Sequence, residues 1–195
     1  MNPDFILSEI KKLFDNHDYA EETFLSLNWQ NAELYSNFWN LNYPDGLNFL
    51  LMTFSETYIA QNFTSAVLQC FITNTALDEE LKEEDYIASD RSEKIALLQK
   101  WREKYHEDFL NLCLSLREKR FQIIDSSSLP EIISYYGSTA ETIQDYEIIK
   151  KDLNILETFL SGAFCIELGG CYILDHVYFG IKNNQILLIC CGLWD

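Results

Sequence analysis

Residues 163–193 read AFCIELGGCYILDHVYFGIKNNQILLICCGL, and this stretch decides the fold. It is rich in Ile, Leu, Val, Cys, Tyr and Phe and is broken only by Gly169-Gly170 and Asn183-Asn184. Such runs, bounded by turn residues, predict three strands: Ala163 to Leu168, Cys171 to Lys182, and Gln185 to Leu193. Asn tolerates the positive φ that a two-residue hairpin requires, so Asn183-Asn184 closes the last pair. The segment Ile186-Leu187-Leu188-Ile189-Cys190-Cys191 is apolar at every position. Both of its faces should therefore be covered, which calls for helices packed on the sheet.

Upstream the period is helical. Ser138-x-x-Glu141 and Ser128-x-x-Glu131 have capping-box form, and Gly162 is a natural stop for the helix that begins at Ser138. Phe121 to Ile124 reads as a short strand. Asp90-x-x-Glu93 opens the clearest helix, running from 91 towards 118, with Ile95, Leu98, Trp101, Tyr105, Phe109, Leu112 and Leu116 as its apolar stripe. At the other end, Asn2-Pro3 starts a helix carrying Phe5, Ile6, Ile10, Leu13 and Phe14 at helical spacing. Further helices are expected over Tyr19 to Leu27 and Ala32 to Trp39. A turn follows at Asn40 to Gly46.

Residues 47 to 75 contain a single ionisable acid or base, Glu56, and read as the central helix or helix pair of the core. Periodicity cannot separate a buried helix from a buried strand, so 64–73 stays open between the two. The expected fold class is α+β: a largely helical N-terminal two-thirds (1–120 mostly helical) packed with a C-terminal antiparallel β-meander over 163–195 that ends in a hairpin. The whole chain, 1–195, is expected to form one domain.

The composition fits a folded chain rather than a disordered one. It is 48% hydrophobic and contains 13 Phe, 11 Tyr and 4 Trp. Yet 31 Asp and Glu face 14 Lys and Arg, a net charge of -17. The charge is uneven. Residues 78–90 hold seven acids and one lysine, whereas 91–120 hold eight basic and five acidic residues.

That field disfavours nucleic acid as a ligand, since phosphate binding requires concentrated Lys and Arg. Arg117-Glu118-Lys119-Arg120 is too short to reverse it and suits a helix C-terminus. The complementary partner is a basic protein, steered by opposite fields. Asp78, Glu79, Glu80, Glu83, Glu84, Asp85 and Asp90 are the candidate partner-binding residues. The aromatics Trp29, Tyr35, Phe38 and Trp39, in an Asn-rich setting, are either interface anchors or helix core.

Catalytic signatures are sparse. Cys171 and His176 lie close enough in sequence for a thiol–imidazole pair. Glu167 and Asp175 interrupt apolar strands and would form an acid–base pair if adjacent. Cys165, Cys171, His176 and Glu167 lack any recognised zinc spacing, so no metal is expected. Gly169-Gly170 has no following helix or lysine, so no phosphate cradle and no cofactor are expected.

The six cysteines sit among apolar neighbours without a C-x-x-C pair, which suits buried thiols in a reducing cytoplasm. Met1-Asn2-Pro3-Asp4-Phe5 has no basic n-region, so no signal peptide is expected, and no run is apolar enough to predict a membrane span.

Three functional classes follow. The first is a non-enzymatic, acidic, cytoplasmic protein-binding protein, in concrete form an immunity or inhibitor protein that neutralises a basic toxin such as a nuclease. The second is a small enzyme with a Cys/His or paired-carboxylate site on the C-terminal sheet. The third is an oligomeric scaffold that uses its apolar last strand.

Overall fold

The computed structural model describes residues 2–27, 29, 36–41, 47–79, 90–107, 110–111, 122–124, 158–171 and 174–191. At the N-terminus the Asn2 side chain accepts a 2.8 Å hydrogen bond from the Asp4 N–H, and Pro3 occupies the first turn of α1 (Pro3–Asp15). This cap satisfies one of the backbone donors that a helix start leaves unpaired. Asn16 repeats the device for α2 (His17–Leu25), accepting from the Tyr19 N–H. Ile6, Ile10, Leu13 and Phe14 bury the inner face of α1, and Ala20, Thr23 and Phe24 bury that of α2.

The next elements depart from the sequence reading. Ala32 to Trp39 was expected to be helical, but 36–41 form β1 (Ser36–Leu41). The expected central helix over 47–75 begins instead with β2 (Leu47–Thr53). Pairing decides the matter. Leu50 lies opposite Leu188 and Met52 opposite Ile186, so β2 runs antiparallel to the last strand. Its apolar run is buried by sheet neighbours, and local periodicity carries no trace of that. A signal was present nonetheless. Two aromatic-rich runs flank Asn42-Tyr43-Pro44-Asp45-Gly46, which is the composition of a hairpin. Residues 42–46 lie outside the described residues.

Ser55 caps the short α3 (Glu56–Gln61), and α4 (Phe63–Glu79) follows. Residues 64–73 are therefore helix. This helix is the centre of the molecule: Ala66, Val67, Leu68, Gln69, Cys70 and Thr73 are each 0% exposed. A helix buried on so many sides has no polar face to show. Asp90 then caps α5 (Arg91–Lys104) with the expected box. Its carboxylate accepts from the Ser92 and Glu93 N–H groups, while Glu93 Oε2 accepts from the Asp90 N–H. The helices expected from Ser128 and Ser138, and the stripe beyond Leu110, lie outside the described residues, apart from the 158–160 turn at the end of the second.

Six strands form one antiparallel sheet in the order β1-β2-β6-β5-β4-β3. β3 (Gln122–Ile124) pairs with β4 (Phe164–Cys171), β4 with β5 (Leu174–Lys182), and β5 with β6 (Gln185–Cys191). The C-terminal meander is thus present as expected, and the β1–β2 hairpin extends it across β6. Asn183 takes φ 55 in the β5–β6 turn, and Gly162 takes φ 77 just before β4. Asn184 ties this turn to the chain leaving β2: its carbonyl accepts from the Phe54 N–H, and its side chain donates to the Phe54 carbonyl.

Both sheet faces are covered. Ile166, Phe179, Leu188 and Leu50 line up across four strands and face the helices. Cys165, Gly180 and Leu187 form the neighbouring row, which alternation places on the opposite face. There Phe159 and Leu160 press on the sheet, and the pressure falls on Gly180. A Cβ built at Gly180 would lie 3.2 Å from Phe159 Cε1 and 3.3 Å from Leu160 Cδ2. Lys182 locks the same layer by donating to the carbonyls of Thr158, Phe159 and Ser161 at 3.3, 3.2 and 2.7 Å.

Gly180→Val is therefore expected to destabilise the fold by about 1–3 kcal/mol through overpacking, whereas Gly180→Ala costs less than half of that. Urea unfolding measures both. Equal midpoints for Gly180→Val and the parent protein would show that the 159–160 layer yields freely.

Candidate functional site

The strand residues singled out by sequence do not gather into one site. Cys165 pairs with Gly180, while Cys171 pairs with Leu174 at the far end of the same strand. Six residues of strand separate the two thiols, about 20 Å along the chain. Glu167 lies opposite Tyr178, three residues from Asp175, so the two acids are not register partners. His176 pairs with Cys191. The fold thus brings Cys171, Asp175 and His176 to one end of the sheet and leaves Cys165 and Glu167 further along it. No group of three His, Cys, Asp or Glu residues comes together as a metal cluster among the described residues.

The thiols with described side chains, Cys70, Cys165 and Cys190, are free and buried. Burial pushes the Cys70 thiol well above its usual range. A thiol held neutral in this way is neither nucleophile nor ligand. These three cysteines are expected to resist a neutral-pH alkylating reagent in the folded protein and to react fully in denaturant. Pulse alkylation with peptide mapping checks this. Labelling of any of the three at a free-thiol rate would place a reactive site inside this core.

Sequence reading missed a polar set inside α4. Gln69 Nε2 donates to the Tyr58 hydroxyl at 2.8 Å, and Asn74 Nδ2 donates to Cys190 Sγ at 3.6 Å. Burial raises the Tyr58 phenol, and the Gln69 bond opposes that rise. Thr73 Oγ1 and Asn74 Oδ1 are buried without a hydrogen-bond partner. Each such group opposes folding by about 1–3 kcal/mol. No open path to this set is described, so it reads as a feature of the core.

The acidic segment is visible only at its ends. Asp78 and Glu79 close α4, and Asp90 caps α5. Glu80, Glu83, Glu84 and Asp85 lie outside the described residues. The Asp90 carboxylate is already occupied: the Ser92 hydroxyl, together with the Glu93 and Ser92 N–H groups, holds its carboxyl below the usual range.

A different acidic surface is well formed. An open groove on α2 is lined by Asp18, Glu21, Glu22, Leu25 and Ser26. The first four are spaced i, i+3, i+4, i+7, so they form one stripe on the helix. Ala20, Thr23 and Phe24 occupy the buried side, while Leu25 is 55% exposed. Asp18 with Glu21 and Asp18 with Glu22 are like-charge neighbours, each pair opposing helix formation by about 0.2–0.5 kcal/mol. Behind the stripe, the His106 ring packs on Phe24 at 5.5 Å, and its Nε2 lies 3.5 Å from Glu21 Oε1.

The helix end beneath the groove is held by α5. Arg102 donates to the carbonyls of Leu25 and Leu27, both at 3.1 Å, and Arg91 donates to the Trp29 carbonyl at 3.4 Å. Arginine at a helix C-terminus satisfies carbonyls that have no intrahelical partner. The basic character of α5 is thus turned in part towards α2. The helical spacing of Asp18, Glu21, Glu22 and Leu25 could be read from sequence, but their outward direction became visible only with the packing of Phe24.

No protein-family model matches this chain, and neither a curated protein nor a solved structure matches it. No described helix is long and apolar enough to cross a membrane.

Proposed function

We propose that this is a non-enzymatic, cytoplasmic binding protein for a basic protein partner. Its most concrete form is an immunity or inhibitor protein that neutralises a basic toxin, such as a nuclease, by filling its active-site cleft. The observation that carries this reading is the open, acid-lined groove on α2 with a half-exposed leucine in it, on a chain of net charge -17. A field of that sign accelerates encounter with a cationic surface and repels nucleic acid, which a nuclease inhibitor must replace rather than bind.

The test is affinity capture from the native host at low and high ionic strength, analysed by mass spectrometry. The expected result is a basic protein that is retained at low salt and released at high salt. Recovery of no basic protein, or a complex indifferent to salt, would count against the proposal.

A further inference from the structure

We infer that the α2 groove receives a cationic amphipathic segment of a protein, with one apolar side chain seated on Leu25 and flanking Lys or Arg side chains on Asp18, Glu21 and Glu22. This rests on the reading of the protein as a binder of basic partners and names the surface and chemistry by which it binds.

Three independent features of the groove converge. The first is its pattern. Asp18, Glu21, Glu22 and Leu25 occupy one stripe along roughly 10 Å of helix, which suits a helix or extended segment carrying a single apolar anchor between cations. The second is electrostatic. Glu21 and Glu22 stand towards the C-terminal end of a nine-residue helix that has no basic residue in its last turn. Acids there oppose the helix macrodipole, so a cation arriving from outside removes an unfavourable arrangement that folding alone leaves in place. The third is rigidity. Arg102 grips the carbonyls of Leu25 and Leu27, and Phe24 is 1% exposed beneath. The stripe is therefore presented ready-made, which lowers the ordering cost of association.

The experiment uses the full-length protein and a fluorescent helical peptide bearing one Leu between Lys and Arg residues at i, i+3 and i+4 spacing. Anisotropy is read across a salt series, and amide shifts locate the site. Binding that weakens with salt and perturbs the amides of 17–27 is expected. Leu25→Ser should weaken it by roughly fivefold to tenfold with the salt slope unchanged. Glu21→Gln with Glu22→Gln should weaken it by about tenfold and flatten the slope. A peptide lacking the Leu should match Leu25→Ser on the parent protein. All these positions are half-buried or exposed, and circular dichroism confirms that the variants fold.

Equal affinity for the parent and both variants, shifts confined to other residues, or no binding overturns the inference. The broader reading is separable from it. A basic protein captured equally by the parent and the groove variants would retain that reading and remove the groove. Peptide binding at α2 without any captured basic protein would do the reverse.

Discussion

Phe179→Ala is expected to destabilise the protein by about 3–5 kcal/mol, lowering the thermal midpoint by roughly 6–20 °C. Phe179 is 0% exposed in the middle of β5, with Ile166 on one side and Leu188 on the other. Its ring meets Phe71 of α4 edge-on at 5.2 Å and 75°, and Phe71 meets Phe14 of α1 at 6.2 Å and 80°. Such edge-to-face contacts follow the ring quadrupoles and add to simple burial. The three rings thus connect the sheet, the central helix and the first helix. Truncation removes the one that touches the sheet, and close-packed neighbours cannot collapse fully into the void. Phe179→Leu keeps most of the volume and should cost no more than about 1.5 kcal/mol. Benzene should raise the midpoint of Phe179→Ala but not that of the parent, because an apolar cavity of this kind accepts it. A midpoint for Phe179→Ala within 2 °C of the parent would mean that α4 and the sheet are not packed through this ring.

Residues 163–191 were legible because their signals are local. The turn at Asn183-Asn184, the stop at Gly162 and the all-apolar last strand each state their own structure. The Asn2 and Asp90 caps were legible for the same reason. β1 and β2 were not. Leu47-Asn48-Phe49-Leu50-Leu51-Met52-Thr53 becomes a strand because β6 lies beside it, 132 or more residues later. No window of sequence contains that pairing. The candidate site divides in the same way. The net charge is a property of composition, whereas the placement of the acids on α2 depends on which face Phe24 and Ala20 bury.

The cations follow a consistent pattern. Arg102 and Lys182 point their charges at backbone carbonyls, and Lys12 lies 3.9 Å from the centre of the Tyr19 ring. Charge used this way stabilises helix ends and aromatic faces. It leaves the carboxylates of the α2 stripe, Asp18 and Glu22 among them, facing outward. An acidic surface thus coexists with a well-capped interior, because the few positive charges serve the backbone instead of neutralising the acids.

Trp101→Ala is expected to cost about 3–5 kcal/mol, and its effect should begin with α5. Leu98 and Trp101 are the buried residues of that helix. Trp101 stacks on Tyr105 at 4.7 Å with the rings nearly parallel, and Lys104 lies 4.6 Å from the Trp101 ring centre. At 14 residues α5 is near the length below which an isolated helix is marginal in water, so its order depends on docking. Without the indole, Leu98 alone anchors the helix apolarly. The amides of α5 should then exchange roughly a hundredfold faster or more, while those of β6, walled in on both faces, slow down the least affected part of the fold. Loss of α5 also withdraws Arg102 from the carbonyls of Leu25 and Leu27, so the exchange of α2's last turn should rise with it. Hydrogen exchange read by mass spectrometry separates the cases. Acceleration of α5 and α2 ahead of β6 is the expected pattern, whereas uniform acceleration of all three would make α5 part of one cooperative unit with the sheet.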